Sequence, residues 1–338
     1  MPSGKQPTAC QLQRRRRGGL FVASRSPTIG QTRCNICTGR CAVQATIDRD
    51  AGLSELVKLD TARALASGLG FTEGPVWVAA DNCLLFTDIP NNRIYRWRPD
   101  GDGLEVYREP SRNANGLTLD RAGRLLACEH SGRQVTRATY GEPETTLVAR
   151  FDGRRFNSPN DIVEHSSGAI YFTDPTYGLA DLYGAQKELP FQGVYRLAPD
   201  GAVTCVERGF TQPNGLVFSP DERYLYIGDS ADRFVKRFAV EPDGSLSTGE
   251  IFVDMRDYQQ PGAPDGMRVD TSGRLWTTGR GGVWVVEPSG ALLGILCLPE
   301  LPANIAFGGA GNATIFLPSR TSVFAVDTLV QGVIVGPR

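Results

Sequence analysis

From about residue 60 onward, apolar residues come in short runs, and each run is broken within a few positions by Gly, Asp, Asn or Pro. No long stretch keeps the 3.6-residue period of an amphipathic helix, so the pattern predicts strands joined by tight turns. The strands are self-similar. Six segments read alike: EGPVWVAADNCLLFTD, NGLTLDRAGRLLACEH, NDIVEHSSGAIYFTD, NGLVFSPDERYLYIGDS, DGMRVDTSGRLWTTGR and NIAFGGAGNATIFLPS. Each has a leading polar residue, a short apolar strand, a turn, and a second strand rich in large apolar side chains. A third strand-like piece then follows, such as RIYRW, GVYRLAP, FVKRFAV, GVWVVEP or SVFAV.

The leading residues are Glu73, Asn115, Asn160, Asn214, Asp265 and Asn304, spaced by 42, 45, 54, 51 and 39 residues. Four-stranded propeller blades need about 40–50 residues each. The pattern therefore predicts an all-β fold, a six-bladed β-propeller with a central metal site, over residues 55–338. KLDTARALASGLGF, ahead of the first repeat, is expected to supply an outer strand that closes the ring against the last blade. The two longer spacings place insertions near 178–192 and 252–263.

Composition is that of an ordinary globular protein, with 41% hydrophobic and 22% charged residues. Charge is uneven. Residues 1–47 carry eight basic side chains and no acid, so the remainder holds 28 basic against 37 acidic residues, a net of −9. An acidic body disfavours nucleic acid as a partner and suits a cation or a small polar molecule. No apolar run reaches the ~18–20 residues that span a bilayer. Residues 1–54 read as a disordered or leader-like basic extension, with targeting by it left open. Cys34, Cys37 and Cys41 stand at a spacing that could share a metal, but without the second ligand pair such sites use, so reduced thiols are the simpler reading. Cys83, Cys128, Cys205 and Cys297 lie far apart in or beside apolar runs and are expected to be reduced, which suits the cytoplasm.

In a propeller the first strand of every blade lines the channel, and all six run the same way. The six leading residues are thus expected to converge as one ring of two carboxylates and four carboxamides. Such an oxygen set suits one hard divalent cation, Ca²⁺ first, with Mg²⁺, Mn²⁺ or Zn²⁺ as alternatives. The competing reading is a folding one, since N-G and D-G are common turn dipeptides and a repeat copies its turns. Glu73 is a poor turn residue and favours the site. The ends of the second strands return to the same face, so Asp88, Glu129, His130, Asp174, Asp229, Ser230, Arg280, Ser319 and Arg320 are expected to form a rim. Asn115, Asn304, His130, Asp174 and Asp229 are the candidate substrate-binding residues.

The motifs FTEGPVW, CEHSGRQV, FNSPNDIV with IYFTDPTYG, QPNGLVFSPDERYLYIGDS and PDGMRVDTSGRLW, in this order, resemble the SMP-30/gluconolactonase/LRE-like family, and its bacterial gluconolactonase branch in particular. The resemblance covers residues 62–330. It implies that Glu73, Asn160, Asn214 and Asp265 bind one divalent metal in the channel. One branch of the family carries an Arg two residues before its ring Asn, where this chain has Ser158.

The implied activity is hydrolysis of a sugar lactone such as gluconolactone, with Asp265 catalytic, as general base or as nucleophile. The alternatives are a metal-dependent esterase or organophosphate hydrolase on the same site, or a non-catalytic binding propeller stabilised by its metal. No G-x-S-x-G elbow and only two histidines are present, which disfavours a Ser-His-Asp hydrolase. The expected partner is a small lactone or ester, with no nucleic acid or membrane, in a monomer or small homo-oligomer.

Overall fold

Strand patterning alone brings the chain back on itself. The computed structural model describes residues 41–101, 103–139, 142–179 and 184–337. Among these, six sheets of at least four strands are joined in sequence order by antiparallel pairing, the six-bladed propeller that the spacing predicts. The innermost strands begin the blades at Thr72–Val78, Ala114–Leu119, Ile162–Glu164, Pro213–Phe218, Met267–Val269 and Ala306–Gly308. Burial falls from the axis outward. In blade 1 the first two strands are buried throughout, whereas Leu104–Arg108 at the outer edge is half-buried at best, with Glu105 and Val106 exposed.

Large apolar residues on the first and second strands fill the gaps between blades. Trp77 of blade 1 stacks on Phe316 of blade 6 at 5.2 Å, and Trp276 of blade 5 meets Phe307 of blade 6 edge-on at 5.5 Å. Ring pairs of this kind add about 0.5–1.5 kcal/mol to the area they bury. The turns between first and second strands follow from their acids. Asp120 Oδ1 accepts the amides of Ala122 and Arg124, and Asp270 Oδ1 accepts those of Ser272 and Arg274; both are Asx-type turns.

Ring closure uses the strand before blade 1. Val57–Ala66 lies antiparallel to Ser322–Thr328, with Val323 opposite Ala66 and Asp327 opposite Lys58. The connections at 175–192 and 255–266 fall where the long spacings place insertions.

Residues 41–54, read from sequence as part of the basic extension, are instead built onto the propeller. Cys41–Ala42 pairs with Val57–Ala66, and Thr46–Asp48 pairs with Leu292–Cys297. Val43, Ala45 and Ile47 pack on the core at every second position, and Leu53 is fully buried. The strand period is present but short, and the Arg-rich composition around it hides it. Cys41 is exposed; Cys34 and Cys37 lie outside the described residues.

The last residues cross the far end of the channel. Thr271 N donates to Gln331 O, Gly332 N to Asn312 O and Val333 N to Val269 O. Val335 packs on the cluster containing Val76 and Leu117. Among the described residues no helix is long and apolar enough to cross a membrane.

Candidate active site

Pairing slips at the start of three innermost strands, between Glu73 and Val76, Ala114 and Leu117, and Pro213 and Leu216. Bulges there turn the leading side chains onto the axis. They also bring neighbouring blades into backbone contact. Gly116 N donates to Asn160 O at 2.7 Å and Gly215 N to Asp265 O at 3.1 Å. A Cβ on Gly215 would lie 2.0 Å from that Asp265 oxygen, and one on Gly116 2.5 Å from Asn160 O. The glycines of the N-G pairs are therefore fixed by close approach between blades and not by hairpin turns. Hydroxyls complete the circle, with Thr87 Oγ1 donating to Asn115 O at 3.1 Å and Thr173 Oγ1 to Asn214 O at 2.8 Å.

Glu73, Asn115, His130, Asn160, Asn214 and Asp265 line one cavity of about 720 Å³. Phe71, Ile89, Tyr177, Leu301, Ser230 and Arg320 stand around its mouth. Glu73 Oε2 accepts Gly74 N at 2.6 Å and Asn304 Nδ2 at 2.8 Å. Burial raises the proton affinity of both Glu73 and Asp265; Glu73 raises that of Asp265 further, whereas the hydrogen bond with Asp265 works to lower that of Glu73. His130 Nε2 lies 3.1 Å from Asn115 Nδ2 and acts as its acceptor, which leaves the buried Asn115 Oδ1 without a partner. Burial lowers His130 to about 4, so its imidazole is neutral at physiological pH.

Three candidate substrate-binding residues are placed elsewhere. Asp174 Oδ2 accepts Asn157 N at 2.8 Å; Asp229 Oδ1 accepts Ala231 N at 2.9 Å and its Oδ2 accepts Thr211 N at 2.7 Å. Both are fully buried and neither lines the cavity. Like Asp88, they brace loops between strands, because side chains at these strand ends point sideways into the connection. Asn304 is committed on both sides, its Nδ2 to Glu73 and its Oδ1 to Ile305 N at 2.7 Å. It holds Glu73 and does not reach the cavity.

Sequence reasoning passed over Asp161, Arg268 and Tyr177. Asp161 is 1% exposed, its Oδ1 accepts Ile162 N, and its Oδ2 has no partner. Arg268 is 6% exposed and donates to Met267 O at 2.8 Å and Pro75 O at 3.3 Å. The available signal is an Arg inside GMRVD, where the other five repeats carry Val76, Thr118, Val163, Val217 and Phe307.

Among the described residues no three His, Cys, Asp or Glu side chains converge in a metal-holding group; the ring mixes two carboxylates with carboxamides. The donors still fit a hard divalent cation. All are oxygen atoms, and the two channel carboxylates are buried against one another without a cationic side chain in their ring. With Asp161 and Arg268 included, three buried carboxylates face one guanidinium, a balance of −2.

Residues 71–321 match the SMP-30/gluconolactonase/LRE-like region. A gluconolactonase of Zymomonas mobilis is 34% identical over 79% of this chain and 81% of its own. A pentonolactonase of Haloferax volcanii is 34% identical over 70% of this chain and 77% of its own. The solved structure of a gluconolactonase from Xanthomonas campestris superposes with a TM-score of 0.79 at 32% identity, covering 86% of this chain and 97% of that one. Match, identity and coverage together place the chain in the SMP-30/gluconolactonase/LRE-like family.

Proposed function

We propose that this protein hydrolyses a sugar lactone to the hydroxy acid, and that it does so with a divalent cation, Ca²⁺ first, held by Glu73, Asn160, Asn214 and Asp265. The observation that carries the reading is the Glu73–Asp265 pair on the floor of a cavity among carboxamides, in a chain whose relatives include a gluconolactonase and a pentonolactonase. When bound, the cation would supply Lewis-acid polarisation of the lactone carbonyl.

The chain's own groups do the rest. Asp265 takes the proton of the attacking water on a carboxylate oxygen. Glu73 is fixed by Gly74 N and Asn304 Nδ2, so it keeps its place as charge moves beside it. Asn115, held by His130, and Tyr177 offer hydrogen bonds to sugar hydroxyls. Phe71, Ile89 and Leu301 wall the mouth and limit the entry of further water.

The test is a panel of sugar lactones, aryl esters and phosphotriesters, followed by pH-stat above the uncatalysed rate, with and without chelator. Turnover of lactones that falls at least 100-fold with chelator and with Asp265→Ala supports the reading. Lactone turnover that survives both overturns it, as does a preference for phosphotriesters or simple esters.

A further inference from the structure

The residues that follow the second strands of the six blades are Ile89, His130, Pro175, Ser230, Arg280 and Arg320. In blades 2 and 4 this residue reaches back to the ring amide of its own blade. His130 Nε2 meets Asn115 Nδ2, and Ser230 Oγ accepts Asn214 Nδ2 at 2.9 Å. Ser230 also touches the next blade. Its Oγ donates to Pro264 O at 2.5 Å, one residue before Asp265.

A carboxamide flipped end for end keeps nearly the same shape, so packing alone does not decide which end faces a site. At Asn214 the supply of protons decides it. A serine hydroxyl carries a single proton, and the Pro264 carbonyl can only accept, so that proton is committed to blade 5. Ser230 Oγ has only lone pairs left for Asn214, and only the NH₂ end of the amide can meet them. Oδ1 is the end that remains for the cavity, which Asn214 and Ser230 both line. A flipped Asn214 would set oxygen against oxygen at Ser230 and turn its N–H donors toward a cation.

The hydroxyl is itself held in place. Ser230 N donates to Gln212 O at 3.1 Å. Beside it, the Asp229 carboxylate accepts Thr211 N, Gln212 N, Ala231 N and Asp232 N. The segment that leads into Asn214 and the one that leaves Ser230 are thus clamped on one side chain.

We infer that Ser230 is a positioning residue: its hydroxyl fixes Asn214 with Oδ1 toward the cavity and ties that amide to the peptide before Asp265, so that two of the proposed cation's donors keep one spacing. The inference rests on the cation reading proposed above.

The experiment measures Ca²⁺ affinity by calorimetry on the chelator-treated full chain, with Tm recorded with and without Ca²⁺. Ser230→Ala is expected to bind Ca²⁺ about 10–100-fold more weakly, and Ser230→Thr, which keeps the hydroxyl, within about threefold of wild type. Without Ca²⁺, Ser230→Ala should melt within about 3 °C of wild type, because only one hydrogen-bonding group is lost. With Ca²⁺, its Tm should rise less than that of wild type at the same concentration. A wild-type chain that binds Ca²⁺, with Ser230→Ala unchanged in affinity or Ser230→Thr as weak as Ser230→Ala, overturns the role of Ser230 alone. A large fall in the Ca²⁺-free Tm of Ser230→Ala also overturns it, since the hydroxyl would then be holding the fold. A wild-type chain that binds no Ca²⁺, Mg²⁺ or Mn²⁺ sinks the cation reading. Lactone kcat/KM then decides for Ser230: a loss in Ser230→Ala restored in Ser230→Thr supports positioning, and equal values in all three proteins overturn it.

Discussion

Gly215→Ala adds one methyl group at the point where blades 4 and 5 touch. The new Cβ would sit 2.0 Å from Asp265 O, whereas carbon and carbonyl oxygen rest at about 3.3 Å or more. The two backbones must therefore separate by about 1.3 Å, and the 3.1 Å bond from Gly215 N to the same oxygen is lost. Overpacking costs about 1–3 kcal/mol and a lost hydrogen bond about 1 kcal/mol more. At about 2 °C per kcal/mol the variant should melt roughly 4–8 °C below wild type. Displacement of Asp265 by about 1 Å should lower kcat on the preferred lactone some 100-fold. Gly209→Ala is the control, since its Cβ meets only the exposed Glu207 carboxylate at 3.0 Å. Scanning calorimetry and steady-state kinetics read both effects. A Gly215→Ala protein with wild-type kcat and Tm would refute the idea that interblade contact sets the ring.

Asn304→Ala removes the Nδ2 donor to Glu73 and should cost about 10–100-fold in cation affinity or kcat/KM, as loss of a ligand's support commonly does; unchanged kinetics and calorimetry count against that role. His130 is held neutral down to about 4 by burial, while the unfolded chain protonates it near 6.5. The unfolded state therefore binds the extra proton between those values, and stability falls as pH drops through that window, by up to about 3 kcal/mol. His130→Gln should flatten this fall in denaturant titrations at pH 7, 6 and 5, and an unaltered slope refutes it. Ending the chain after Leu329 removes the partly buried Val333 and Val335 from their apolar contacts, each contributing a part of the about 1.5–3 kcal/mol of a fully buried valine. The truncated chain should melt well below wild type, and an equal Tm would show that the crossing segment adds nothing.

The fold was legible because each blade repeats one sentence of strand, turn and strand, so a weak local signal is read six times. The polar residue at the head of each repeat was legible for the same reason. The Gly beside it was ambiguous: a turn and a bulge both ask for Gly, and only the contact of Gly215 with Asp265 O separates them. Asp174 and Asp229 were misread because a strand's end marks a level along the axis but not the direction of a side chain. Asn304 occupies a ring position by register, yet its hydrogen bond to Glu73 draws it out of the cavity. Arg268 is conspicuous in MRV only once register shows that its position faces the channel.

Closure by Val57–Ala66 has a consequence for how the molecule is made. Thr61 Oγ1 accepts Asp327 N, a contact between residues 266 apart. At about 5–20 residues per second, the early strand leaves the ribosome some 13–53 s before its partner exists. Until then both edges of the growing crescent are open, Val57–Ala66 at one end and the newest blade at the other, and each is a template for pairing with another chain. Nascent chains should therefore be at their most aggregation-prone just before release, and a slow stretch of translation near the 3′ end of the message would prolong that exposure.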